Sequence, residues 1–155
     1  IYTSKIEPVY KKPITLNKII VSEPVADKYF LTNEQETKFI YLKESKRIER
    51  TSSDGHTYFY SEGSMSYPDP YSSPGRTMLT SEGTINRSTH VVKDRETNMN
   101  RLLTPVECER LNQFPDNWTD TMDDRRRYFM MGNALVTGII KKLGVSIKTY
   151  IKKED

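Results

Sequence analysis

Few side chains in this chain have the type and spacing that bond-making chemistry requires. Its one thiol, Cys108, excludes an intramolecular disulfide and a multi-cysteine metal site, and suits a reducing compartment. His90 has no second histidine or cysteine close by in sequence, so no metal site is expected. What the sequence offers instead is a set of groups that bind anions and base edges. Arg76 and Thr77 follow Pro74-Gly75, and Gly83-Thr84-Ile85-Asn86-Arg87-Ser88-Thr89-His90 packs several hydrogen-bonding side chains into one loop. A guanidinium pairs with phosphate or reaches guanine through two parallel bonds. Either arginine also reads as a plain surface residue, but Ser88 and its neighbours favour DNA contact for Arg87. Thr77 offers a short hydroxyl with little entropy to lose, or is an ordinary β-branched strand residue. Gly83 allows close approach of a ligand backbone.

The elements that must position these groups change texture along the chain. Residues 1–12 alternate apolar and polar around Pro8, which predicts an extended segment or linker. Thr15 can cap a short helical piece, Leu16–Ile20. Thr32-Asn33-Glu34-Gln35 has capping-box spacing and predicts about three helical turns from Asn33. Residues 43–50 read as a solvated helix face or its frayed end, with a phosphate-facing edge as the sharper alternative. Beyond them the chain is dense in Ser, Thr, Gly, Pro and Tyr. Asp54-Gly55 marks a hairpin-type turn before a strand at His56–Tyr60, and Thr77–Leu79 and Thr89–Val92 have the look of further short strands. Long polar loops of this kind are uncommon unless they bind something.

From Arg101 the pattern is helical. Thr104-Pro105-Val106-Glu107 combines an N-cap, a first-turn proline and a capping-box glutamate. Residues 112–118 end that helix, with Phe114, Pro115 and Trp118 as a packed corner, and Asp123-Asp124 favours a new start. Gly132-Asn133 precedes a helix with Leu135, Val136, Ile139, Ile140 and Leu143 on one face and Gly144 as its stop, so Asn133 reads as an N-cap. The tail with Lys148, Lys152 and Lys153 reads as frayed. The apolar stripe needs a partner surface.

Composition agrees with such dependence. Hydrophobic residues make up 35% of 155 and the mean hydropathy is -0.72, low for a self-contained globule, so one small domain with segments that dock elsewhere is expected. A net charge of +3 suits a nucleic-acid partner without demanding one. No run reaches membrane-spanning length and no export signal is present, which predicts a soluble, cytoplasmic protein; a start at Ile1 reads as a piece of something longer.

Two ordered segments carry a resemblance. Arg101-Leu102-Leu103-Thr104-Pro105-Val106-Glu107-Cys108-Glu109-Arg110-Leu111-Asn112-Gln113-Phe114-Pro115-Asp116 resembles the ninth conserved motif of the DNA cytosine-5 methyltransferases of bacteria and phages, and Tyr128-Phe129-Met130-Met131-Gly132-Asn133-Ala134-Leu135-Val136 resembles their tenth. Pro74 to Gly83 resembles the Thr-Leu element of their target-recognition domain, although Met78 stands where leucine follows the threonine, which leaves the register of Thr77 open. The resemblance implies an α+β fold: a small, loop-rich β target-recognition domain over residues 13–100, the ninth motif over 101–122, and the tenth motif with a basic tail over 123–155. Residues 1–12 would link to an α/β catalytic domain that uses S-adenosylmethionine, against which the last helices pack. The family's glycine-rich cofactor motif, Pro-Cys nucleophile and Glu-Asn-Val acid element have no match here. Cys108 follows Glu107 inside a predicted helix and is not the nucleophile.

The implied reaction methylates cytosine at carbon 5 within a specific sequence of double-stranded DNA. The base must first leave the duplex, at a cost of a few kcal/mol. By resemblance, Thr77 contacts a phosphate beside the flipped nucleotide, with Arg76, Arg87 and Ser88 as further DNA contacts. Asn133 and Ala134 face the cofactor's amino-acid end, where a helix N-terminus suits a carboxylate. Arg101 braces the ninth motif to the recognition domain; a surface salt bridge is the plainer alternative. Such a chain alone is expected to be inactive, its partner being a catalytic domain of the same protein or a second subunit of a split enzyme. A noncatalytic DNA-binding module and a protein-interaction domain using the apolar helix face are the competing readings.

Overall fold

The computed structural model of the chain describes residues 10–154, so the segment expected over residues 1–12 lies almost wholly outside the described residues. Four helices and four strands follow in the order α1 (Asn33–Lys43), β1 (Lys46–Thr51), β2 (Thr57–Glu62), β3 (Val91–Lys93), β4 (Asn100–Leu102), α2 (Pro105–Leu111), α3 (Asp124–Asn133) and α4 (Thr137–Glu154). The strands form two separate antiparallel pairs, β1 with β2 and β3 with β4, in an α+β arrangement.

Local chemistry explains the helix starts. In α1 the Thr32 hydroxyl accepts from Gln35 N and the Gln35 side chain accepts from Thr32 N; Thr104 and Glu107 repeat this capping box in α2, with Pro105 in the first turn. Asp123 caps α3 by accepting from Arg126 N. Helix α2 ends in a Schellman turn. Phe114 N–H donates to Glu109 O at 2.9 Å and Gln113 N–H to Arg110 O at 2.9 Å, with Gln113 held at φ 61°.

The core gathers elements far apart in sequence: Leu16 and Ile20 from a short 3-10 turn region, Met78 from the loop, Val92 from β3, Leu103 and Cys108 around α2, and Tyr128 and Met131 from α3. Arg101 on β4 is wholly buried and presents its fork to Glu107, with two bonds of 2.8 Å, while its Nε donates to Asp94 at 3.1 Å. The same Glu107 carboxylate accepts from Thr104 N at 2.7 Å and Val21 N at 3.0 Å. One carboxylate therefore caps α2, holds β4 and anchors the segment after Ile20. Zero exposure rules out the surface salt bridge as a description of Arg101. Although burial works against its charge, the bonds to Glu107 raise the guanidinium's pKa above its ordinary value.

Several expectations need correction. Residues 46–51 are strand, not the tail of a helix: Lys43 turns into the interior, Glu44 adopts extended dihedrals, and Lys46 to Thr51 then pair with Glu62 to Thr57 around a turn in which Gly55 has φ 83°. Thr77–Leu79 is not a strand, because Arg76 N–H donates to the His90 ring rather than to a ladder partner and α3 packs on Leu79 and Thr80. The strand expected from Thr89 starts at Val91, since the amides of Thr89 and His90 go to Asn86 O and Glu82 Oε1. Thr15 makes no side-chain cap, and the piece after it is a single 3-10 turn, Leu16–Lys18. Asn133 is not an N-cap. It is the last residue of α3, its Nδ2 donating to Phe129 O at 3.1 Å; Gly132 sits inside that helix as a packing glycine. Leu135 and Val136 precede α4 rather than lie on it, and the helix runs through Gly144 to include the lysine-bearing tail, since an interior glycine weakens a helix without ending it.

Candidate nucleic-acid interface and cofactor corner

The loop from Pro74 to His90 is fixed from below by a buried polar network. Asp69 is 5% exposed; its carboxylate accepts from the Arg76 guanidinium and, at 2.9 Å, from Val91 N. Arg76 also donates to the carbonyls of Ser88 and Thr89 at 3.3 Å each. His90 is fully buried: its Nε2 accepts the Arg76 backbone N–H at 2.9 Å, which assigns the proton to Nδ1, 3.2 Å from Glu82 Oε2. Lys43 reaches the same network from α1. Its Nζ donates to Thr89 O at 2.7 Å and stands 3.8 Å from Asp69; burial, reinforced by the Arg76 and Arg87 charges against the opposing pull of Glu82, lowers its pKa to about 8. No His, Cys, Asp and Glu cluster suited to a metal occurs among the described residues.

This network decides which predicted groups face outward. Thr77 is exposed, between Arg76, held below, and Met78, buried in the core. Arg87 is directed inward: its guanidinium donates to the carbonyls of Leu42, Glu44 and Gly63 and pairs with Glu62 at 3.3 Å. It clamps the end of α1 to the end of β2. Ser88 is half-buried, its amide donating to Asn86 Oδ1 at 2.9 Å and its carbonyl accepting from Arg76. The structure thus brings Arg76, Arg87 and Ser88 together around the loop's base, with Thr77 on its outer side.

On the other side of the loop lies the end of α3. A Cβ on Gly132 would come within 2.4 Å of the backbone at Leu79 and Thr80, so the helix and the loop touch main chain to main chain. Thr77, Gly132, Ala134 and Leu135 consequently line one groove of about 390 Å³. Asn133 is exposed and shares with Ala134 a second, adjacent cleft of about 290 Å³ beside Phe114, Trp118 and Met130. Between α3 and α4 the amides of Leu135 and Val136 donate to no group among the described residues. Cys108, by contrast, is sealed in the core. Burial, with the charges of Glu82, Glu107 and Glu109 added, holds its thiol well above the usual range.

A family model described as C-5 cytosine-specific DNA methylase matches residues 4–149. The chain belongs to that family. It is 51% identical over 141 residues to the type II methyltransferase M.Sau3AI of Staphylococcus aureus, an alignment that covers 91% of this chain and 34% of the relative. The chain thus spans about a third of the relative's length. No solved structure matches it. In this member of the family the loop bearing Thr77 and the end of α3 meet at Gly132. Sequence reasoning missed Lys43, Asp69 and Glu82, because nothing in a sequence marks a polar residue as buried. It also missed β1, because residues 47–51 hold a single apolar side chain, Ile48, and so show no alternation; only the Asp54-Gly55 pair marked the hairpin.

Proposed function

We propose that this chain is the DNA-reading and cofactor-closing part of an enzyme that methylates cytosine at carbon 5 in a specific sequence of double-stranded DNA, with S-adenosylmethionine as methyl donor. The observation that carries the reading is the shared groove: the exposed Thr77 borders the same space as Gly132 at the end of α3 and Ala134 and Leu135 beyond it, so a DNA strand and a cofactor would be held from one junction. Thr77 contacts a backbone phosphate, while Arg76, Arg87 and Ser88 set the loop that presents it. Arg101 braces β4 against the ninth-motif helix through Glu107.

The residues at the cofactor corner fit one edge of S-adenosylmethionine. The Leu135 and Val136 amides donate to no acceptor among the described residues and suit a carboxylate at the entrance to α4, while the exposed Asn133, whose Nδ2 donates to Phe129 O, stands at the adjacent cleft. When bound, the cofactor supplies the methyl group. The nucleophile and the acid are contributed from outside these residues, since the only thiol here is a buried core residue. The row Leu135, Ile139, Ile140 and Leu143, each 44–69% exposed, supports docking onto a catalytic domain of the same protein or of a partner subunit. No helix among the described residues is long and apolar enough to cross a membrane.

The test is complementation. The isolated chain should bind duplex DNA weakly and transfer no labelled methyl group, and supplying the catalytic portion in trans should restore transfer to cytosine. Robust methylation by the isolated chain would overturn the reading.

A further inference from the structure

The β1–β2 hairpin stands apart from the network described above. Its root is secured by the Arg87 clamp and by Met65 N–H donating to Lys43 O at 2.7 Å, but every residue from Arg47 to Thr51 and from Thr57 to Ser61 is exposed on both faces. A two-stranded ribbon without a covering layer is marginally stable, so a surface of this kind calls for a partner. The register assigns the side chains to faces. Lys46, Ile48 and Arg50 oppose Glu62, Tyr60 and Tyr58 and share one face; Arg47, Glu49 and Thr51 share the other with Ser61, Phe59 and Thr57.

The first face has a charge pattern suited to an anion. Lys46 Nζ lies 4.0 Å from the centre of the Tyr41 ring on α1 and the Arg50 guanidinium 4.2 Å from that of Tyr60 on β2, so an aromatic ring holds each cation without neutralising it. The face's acidic residue, Glu62, is already engaged by Arg87 and by the Tyr60 hydroxyl. Two uncompensated cations thus flank a strip of Ile48, Tyr58 and Tyr60. We propose that this hairpin is a DNA-reading ribbon that lies in the major groove, Lys46 and Arg50 meeting backbone phosphates while the strip between them faces the base edges.

The dimensions agree. Paired strands are about 4.8 Å apart, and the major groove, roughly 12 Å wide, admits a two-stranded ribbon with its side chains. The proposal rests on the reading of the chain as part of a DNA methylase, because it supplies that reading with a contact surface beyond the Thr77 loop.

The experiment uses the full-length protein carrying this chain and mixed-sequence duplex DNA containing its methylation site. Binding would be measured against salt, and guanine N7 protection from dimethyl sulfate would be mapped, since N7 lies in the major groove. For K46A/R50A we expect about tenfold weaker binding, a salt slope shallower by roughly 1.8 for two lost phosphate contacts, and loss of protection at discrete guanines. The swap K46R/R50K, which keeps both charges, should retain the slope. K46Q/R50Q, with thermal unfolding checked against wild type, guards against collapse of the hairpin. Unchanged affinity, slope and protection in the two neutralising variants would overturn the ribbon while leaving the methylase reading intact, as would weaker binding with unchanged slope and protection, which would make the hairpin a protein-docking element. Failure of wild type to bind duplex DNA would overturn both.

Discussion

Replacing Arg101 with Met isolates the largest single polar commitment in the fold. The guanidinium is fully buried and makes four bonds: two to Glu107, one to Asp94 and one to Leu102 O at 3.0 Å. Removing one partner of a buried ion pair costs about 3–5 kcal/mol, because the other charge stays behind unpaired. After the substitution the Glu107 carboxylate still accepts from Thr104 N and Val21 N, which offsets part of that penalty and puts the expected loss near the low end, about 3 kcal/mol. For a domain of this size that lowers Tm by on the order of 10 °C. Arg101→Lys keeps the charge but cannot span both carboxylate oxygens, and should lose about 1–2 kcal/mol. Thermal unfolding gives the global figure, and hydrogen exchange over residues 16–21 and 100–111 should show the loss concentrated where Glu107 holds its partners. In a double-mutant cycle, Arg101→Met combined with Glu107→Gln should be less harmful than the sum of the two singles. If Arg101→Met lies within about 1 kcal/mol of wild type, or exchange rises uniformly instead of at Glu107's partners, the hub assignment fails.

Thr77→Ala should leave thermal stability unchanged and weaken DNA binding several-fold, whereas Arg87→Ala should raise exchange at Leu42–Glu44 and Glu62–Gly63 with the salt slope unaltered; a slope reduced by about 0.9 would instead make Arg87 a direct phosphate contact. Gly132→Ala puts a methyl group against the Leu79–Thr80 backbone, so methylation by the full-length protein should fall with losses in both DNA and cofactor affinity; a variant with both affinities intact would show that the junction does not couple them. Lys43 titrates near 8 in the fold against 10.5 when unfolded. Between those values the unfolded chain binds more protons, so Lys43's contribution to stability rises with pH, and the urea midpoint of wild type should rise relative to that of Lys43→Met from pH 8 to pH 10. A gap independent of pH would remove the assigned cause.

Several features that depend only on neighbours within a few positions were legible in the sequence, although the local readings of Thr15, Asn133 and Gly144 failed. The capping boxes at Thr32 and Thr104, the Asp123 helix start and the Asp54-Gly55 turn are local hydrogen-bond and dihedral choices, and each stands where its spacing placed it. The family resemblance was legible for the same reason, since it rests on ordered strings of residues. Tertiary structure decided the rest. Residues 46–51 became strand because their partners, six to sixteen positions away across a turn, offered a ladder that helical propensity could not match. Gly132-Asn133 joined α3 because a distant loop at Leu79–Thr80 needed a surface without a side chain. Arg76 and Arg87, indistinguishable from DNA-binding arginines in a polar loop, turned inward because Asp69, Glu62 and unpaired carbonyls waited there. A charge's partner is set by what folding places within about 4 Å of it, and for these residues that was written 7 to 45 positions away.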